Sequence, residues 1–179
     1  MSQTALVAPP VWQRDKERAN RVLPEIKRIC GEYLIGEAPQ EEDAERNTDL
    51  IVLRLDPVRI ACRVRTYNYL GECNYRNEFT IRTERPAGRK TELAKIIEGY
   101  GDYIFYGFAD REAQSLAAWV LGDLKVFRLW FNMRIVNDKR LPGFEKANRD
   151  GSSIFRAFTI ADLGPAFVLA RRFASAPGL

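Results

Sequence analysis

Hydrophobic positions fall into separate periodic stretches along the chain. Ala19, Val22, Leu23, Ile26 and Ile29 recur at helical spacing and predict an amphipathic helix over Trp12 to about Tyr33, with charged residues on its other face. Pro24 lies inside it, so the helix either kinks there or restarts with Pro24 in a first turn. Leu50 to Leu55 reads as a strand, Asp56-Pro57 as a turn, and Arg59 to Tyr67 as the next strand, so the two are expected to form a hairpin. Tyr75 to Thr83 alternates polar and apolar residues and reads as a third strand. Thr91 can N-cap a helix running to about Tyr100, whose buried face would carry Leu93, Ile96, Ile97 and Tyr100 and whose end is marked by Gly99 and Gly101.

Beyond Gly101, Tyr103 to Phe108 reads as a strand, Arg111 to Leu121 as a short helix and Leu124 to Phe131 as a strand. Asn137 to Ser153 reads as a polar loop, Ile154 to Ile160 as an alternating strand, and Ala166 to Phe173 fits either a helix or a strand. Trp119, Trp130 and Phe131 read as core. This order gives an α+β fold with a mixed β-sheet core and flanking helices. The central helix would let the strands on either side of it lie parallel by a right-handed crossover. Residues 1–10 are expected to be a loose tail without signal-peptide character, and residues 11–179 one domain.

Composition narrows the chemistry. The 179 residues are 46% hydrophobic and 29% charged, an ordinary globular balance. The chain has no histidine, which excludes histidine-dependent triads and imidazole metal ligands, so a metal would need carboxylates, amides or thiolates. Cys30, Cys62 and Cys73 are widely spaced, form no zinc pattern, and suit reduced thiols in a cytoplasm. No apolar run reaches membrane-spanning length. The net charge of +4 permits a nucleic-acid partner without requiring one.

Basic residues crowd the second and third strands and the loop after them: Arg63, Arg65, Arg76, Arg82, Arg85, Arg89 and Lys90, with Tyr67, Tyr69 and Tyr75 interleaved. Arginine forks match phosphate oxygens bidentately and tyrosines can stack on unpaired bases. The competing reading is structural. Arg63, Arg65, Glu78 and Arg82 would then be a cross-strand charge ladder on an exposed sheet face, contributing on the order of 0–1 kcal/mol per pair.

The stretch from Asp49 to Asp110 carries the one arrangement suited to catalysis. An acid precedes the first strand (Asp49), the second strand bears Arg63-Val64-Arg65, and Glu78 opens the third. That order resembles the core of the PD-(D/E)XK nucleases, which include Holliday-junction resolvases, over about residues 12–131, with 132–179 as a C-terminal extension. The resemblance implies a restriction-endonuclease-like fold, Mg²⁺ held by Asp49 and Glu78, and a lysine near the attacking water. The resemblance expects a Glu-x-Lys where Arg63-Val64-Arg65 stands, so the motif is degenerate. An arginine neither ligates Mg²⁺ nor serves as a base. If the third strand paired with the second, Glu78 would reach the Asp49 end of the sheet, with Thr80 in the lysine's place. Lys95 should point to water, which leaves Lys90 as the candidate lysine, and Glu32 is a candidate third acid. The segments Glu78 to Arg82, Lys90 to Lys95 and Gly101 to Ala109 also resemble phage and prophage proteins of no assigned activity. Three readings stay open: a nucleic-acid-binding protein that does not cleave, an active Mg²⁺-dependent nuclease, and a phage-type protein-interaction protein that retains only the fold.

Overall fold

The computed structural model describes residues 11–32, 35–37, 50–52, 58–67, 77–84, 90–147 and 153–172. Its elements in chain order are α1 (Val11–Glu32), β1 (Ile35–Glu37), β2 (Leu50–Val52), β3 (Ile60–Arg65), β4 (Glu78–Glu84), α2 (Glu92–Ile97), β5 (Tyr103–Ala109), β6 (Leu116–Asp123), α3 (Leu124–Asp138), β7 (Phe144–Ala147), β8 (Ile154–Thr159) and β9 (Val168–Arg172). Two 3₁₀ turns, Ile160–Leu163 and Pro165–Phe167, join β8 to β9. The fold is α+β. A mixed four-stranded sheet has the order β3-β5-β6-β9, and an antiparallel three-stranded sheet has the order β4-β8-β7.

The four-stranded sheet is covered on both faces. On one face, Val22, Ile26, Ile29 and Cys30 of α1 pack against Phe105, Leu116, Trp119, Leu121 and Ala170. On the other, Ile104, Tyr106, Phe108, Ala118 and Val120 meet Phe79 and Ile81 of β4 and Leu124, Phe127 and Phe131 of α3. Alternation along β5 and β6 therefore sorts large side chains into two cores. Phe79 links the second: its ring lies 5.3 Å from Phe167, 5.6 Å from Phe158, 5.7 Å from Phe127 and 6.3 Å from Tyr106. Burying a phenylalanine completely stabilises the fold by about 1.5–3 kcal/mol.

Several expected elements form as the sequence indicates. Helix α1 runs continuously through Pro24. The Thr91 hydroxyl caps α2 by accepting from Ala94 N at 3.2 Å, and Gly99 and Gly101 take the positive φ angles that end it. Lys95 is exposed. Tyr100, expected on the buried face, is 63% exposed because the helix closes at Ile97, before its position.

The pairing differs from the sequence reading. The hairpin expected between 50–55 and 59–67 does not form: β2 pairs with β1, while β3 pairs in parallel with β5. Strand β4 does not join β3 but pairs with β8 in the second sheet. The strands flanking α2 thus lie in different sheets, and the parallel pair is β3–β5. Helix and strand are exchanged at the next junction. The helix expected over 111–121 is strand β6, and the strand expected over 124–131 is helix α3. Strand β6 lies between β5 and β9 with both faces buried, so it shows no alternation to read. The loop expected over 137–153 contains β7, held against β8. Residues 166–173 resolve into the end of a 3₁₀ turn and then β9.

Candidate functional site

On β3, Ile60 and Val64 pack toward the α1 core and Ala61 toward the opposite core. Period-two alternation puts Arg63 and Arg65 on the Ala61 side, facing the second sheet. Strand β4 supplies Thr80 and Arg82 from that sheet, α2 supplies Glu92, β5 supplies Tyr106 and β8 supplies Phe155. Side chains from five elements thus meet in the seam between the two sheets.

The arginines are held in place. Arg63 Nη1 donates to the Thr80 carbonyl at 3.0 Å and to Glu92 Oε2 at 2.9 Å. Arg65 donates from Nε to the Tyr106 hydroxyl at 3.1 Å and from Nη2 to Thr80 Oγ1 at 2.6 Å. The two hydroxyls lie 3.0 Å apart and share a hydrogen bond. Glu92 Oε2 also accepts from Arg82 N at 3.1 Å, which ties the start of α2 to β4. The guanidinium carbons of Arg63, Arg65 and Arg82 lie 4.8, 5.5 and 5.2 Å from the centroid of the Phe155 ring. Each cation over the ring gains about 0.5–2 kcal/mol.

Three guanidinium groups gather around one ring, and Glu92 bonds to the Arg63 side chain and to the Arg82 backbone. The Arg63 side chain is 17% exposed, so solvent screens it poorly. Burial lowers the Arg63 pKa, Glu92 opposes that, and Arg65 and Arg82 lower it further. Arginine stays protonated at neutral pH all the same. The three cations thus share a half-buried seam.

The expected exposed charge ladder is therefore corrected. Arg63, Arg65 and Arg82 are half-buried, because β4 stands across the seam in the second sheet and not beside β3. Glu78 takes no part in the cluster. It lies at the far end of β4, ~13 Å along the strand from Arg82, and its Oε2 accepts from Lys146 Nζ at 3.0 Å. Lys90 is exposed and bonds to Glu98 at 2.8 Å, which raises its pKa. Glu32 pairs with Arg28 on the exposed face of α1. Glu78, Lys90 and Glu32 thus each engage a different partner. Asp49, Arg76, Arg85, Arg89, Tyr69, Tyr75 and Cys73 lie outside the described residues, so the Asp49–Glu78 metal pair has no described geometry. Among the described residues no group of three or more acids and cysteines is placed to hold a metal ion. Tyr67 is partly buried, with Arg111 over its ring at 5.1 Å.

Glu92, Tyr106 and Phe155 belong to the site but were not among the sequence candidates. Glu92 has the signature of an ordinary first-turn acid. Tyr106 and Phe155 sit in apolar alternating strands and carry no local mark of a site. Away from the arginine seam, a hollow of about 490 Å³ is lined by Asn77, Ile160, Ala161, Gly164, Pro165, Val168 and Arg171, and brings in a single charged residue. No helix among the described residues is long and apolar enough to cross a membrane. Comparison with family models, with curated proteins and with solved structures gives no match to this chain.

Proposed function

We propose that this protein binds nucleic acid through the Arg63–Arg65–Arg82 cluster and does not cleave it. The observation that carries this reading is the gathering of three guanidiniums from two sheets around Phe155. Phosphate is the anion that arginine forks match best, and a polynucleotide offers it in repeating form. The fixed orientations of Arg63 and Arg65 reduce the side-chain entropy lost on binding.

The resemblance to PD-(D/E)XK nucleases fits the same reading in degenerate form. Arginines stand where an acid and a lysine would serve catalysis, and an arginine-lined seam disfavours Mg²⁺ while favouring phosphate. The resemblance to phage proteins suggests a role in handling phage nucleic acid, and the free thiols Cys30 and Cys62 suit a cytoplasmic setting.

The test is titration at low salt with single- and double-stranded DNA and RNA. Affinity for at least one of them is expected, falling steeply as salt rises, and weakened at least tenfold by joint replacement of Arg63 and Arg65 with Ala. Absence of binding to all four would defeat the proposal and favour a protein partner. Incubation with Mg²⁺ or Mn²⁺ addresses the nuclease alternative. Cleavage abolished by both Asp49→Ala and Glu78→Ala would replace the binding reading with an enzymatic one.

A further inference from the structure

We propose that the outward face of α3 docks an amphipathic helical segment of a partner protein, apolar along its middle and acidic at both ends. This surface shares no residue with the arginine seam. The first observation is the stripe itself. Leu129, Met133 and Val136 are 66%, 55% and 62% exposed. At about 100° per residue they lie within roughly 60° of one another, opposite Leu124, Phe127 and Phe131, which face the core. The helix is therefore apolar on two opposite faces, and only the inner one is buried. Lone exposed apolar residues are ordinary on a surface. Three in line over ~10 Å of helix form a patch of the kind that marks an interaction site. Their spacing, i, i+4 and i+7, is that of one helix laid along another.

The second observation is charge. Lys125 stands one turn before Leu129, and Lys139 and Arg140 follow Val136. All three are exposed, and none of them makes an ion pair with the described residues. The acids nearest them in the chain are engaged elsewhere. Asp123 caps α3, Asp138 pairs with Arg134 at 3.2 Å, and Glu145 pairs with Arg156 at 3.6 Å. The stripe is thus apolar in the middle with unmatched positive charge at each end. Its sides carry the neutral amides of Asn132 and Asn137, both exposed.

That charge pattern selects the occupant. A second copy of the chain fits poorly, because antiparallel α3 helices would set Lys125 of one copy beside Lys139 and Arg140 of the other, and like charges across an interface are unfavourable. A lipid surface favours helices with aromatic anchors on the apolar face and cations along the polar one. Here the stripe holds no aromatic residue, and its flanks are amides. A polynucleotide would satisfy the cations but offers nothing apolar to cover Leu129, Met133 and Val136. A helix with apolar residues at matching spacing and Asp or Glu at each end satisfies both requirements together.

The experiment uses the full chain and two synthetic helical peptides with the same Leu stripe at i, i+4 and i+7, one carrying Glu and the other Lys at both ends. Fluorescence anisotropy at low salt is expected to show the Glu peptide binding about tenfold or more tightly than the Lys peptide, with the gap narrowing as salt rises. Leu129→Gln with Met133→Gln should weaken the Glu peptide about tenfold or more, with circular dichroism and melting unchanged because both side chains are exposed. Lys125→Glu with Arg140→Glu should erase or invert the preference between the peptides. Equal affinity for the two peptides, or binding to neither, would overturn the proposal. Undiminished binding by the Gln variant would overturn its assignment to this stripe. Binding to phosphatidylserine vesicles, or a dimer in sedimentation equilibrium, that the Gln variant abolishes would give the face to lipid or to a second copy and overturn it too. Nucleic-acid affinity is expected to be the same in the Gln variant; its loss would assign the stripe to the nucleic-acid surface instead.

Discussion

Burial on the inner face of α1 pushes the Cys30 thiol up to about 11, and the neighbouring Cys62 adds to the rise. Cys62 is itself raised by burial. The ordinary value is 9.0, so the fold holds Cys30 in its neutral form and resists ionising it. That contribution is fully present below pH 9 and is lost as pH rises toward 11. Denaturant melts of wild type and Cys30→Ala are therefore expected to differ most below pH 9 and to converge as pH approaches 11; a constant difference across that range would exclude the linkage. The arginine seam shows what else is legible at this scale. Arg63, Arg65 and Arg82 stand out in the sequence by their alternation on strands. Their partners do not, because Glu92, Tyr106 and Phe155 come from 10 to 92 positions away and meet the arginines only after two sheets face each other.

Asp123 marks the place where the sequence is hardest to read. It ends β6 and caps α3, its Oδ1 accepting from Lys125 N at 2.6 Å and Val126 N at 3.3 Å. A carboxylate there satisfies two N–H groups left open at the helix start and favours the helix dipole. Asp123→Ala is expected to cost about 1 kcal/mol, read as a lowered denaturation midpoint with an unchanged slope. No change would mean that tertiary packing alone fixes this junction. On either side of Asp123 the pattern misleads for definite reasons. Strand β6 is interior to the sheet, so Leu116 to Leu121 forms one apolar run without period two. Helix α3 buries Leu124, Phe127 and Phe131 but also exposes Leu129, Met133 and Val136, which blurs its stripe into something strand-like. The elements with one clean face, α1, α2 and β8, were legible with nearly their observed bounds. Pairing was less so, because nothing local in β2 or β4 names β1 or β8 as its partner.

At the scale of the whole molecule, the two sheets share one aromatic core around Phe79, and the arginine seam exists only because that core holds β4 across from β3 and β5. One feature of the same core makes β9 the strand that completes the four-stranded sheet. Strand β9 supplies the second neighbour of β6, and Phe167 just ahead of it lies so close over Gly122 that an added Cβ would stand 2.7 and 2.8 Å from its ring carbons. Until residues 167–172 exist, β6 keeps an open edge and Gly122 an unfilled hollow. A chain shortened after Leu163 is therefore expected to be insoluble or protease-sensitive, although α1 to β8 are all present; limited proteolysis of that shortened chain would check this, and native-like resistance would refute it. For a chain emerging from a ribosome, the sheet would remain an aggregation-prone, half-built intermediate until β9 clears the exit tunnel, and would become a cooperative unit only then.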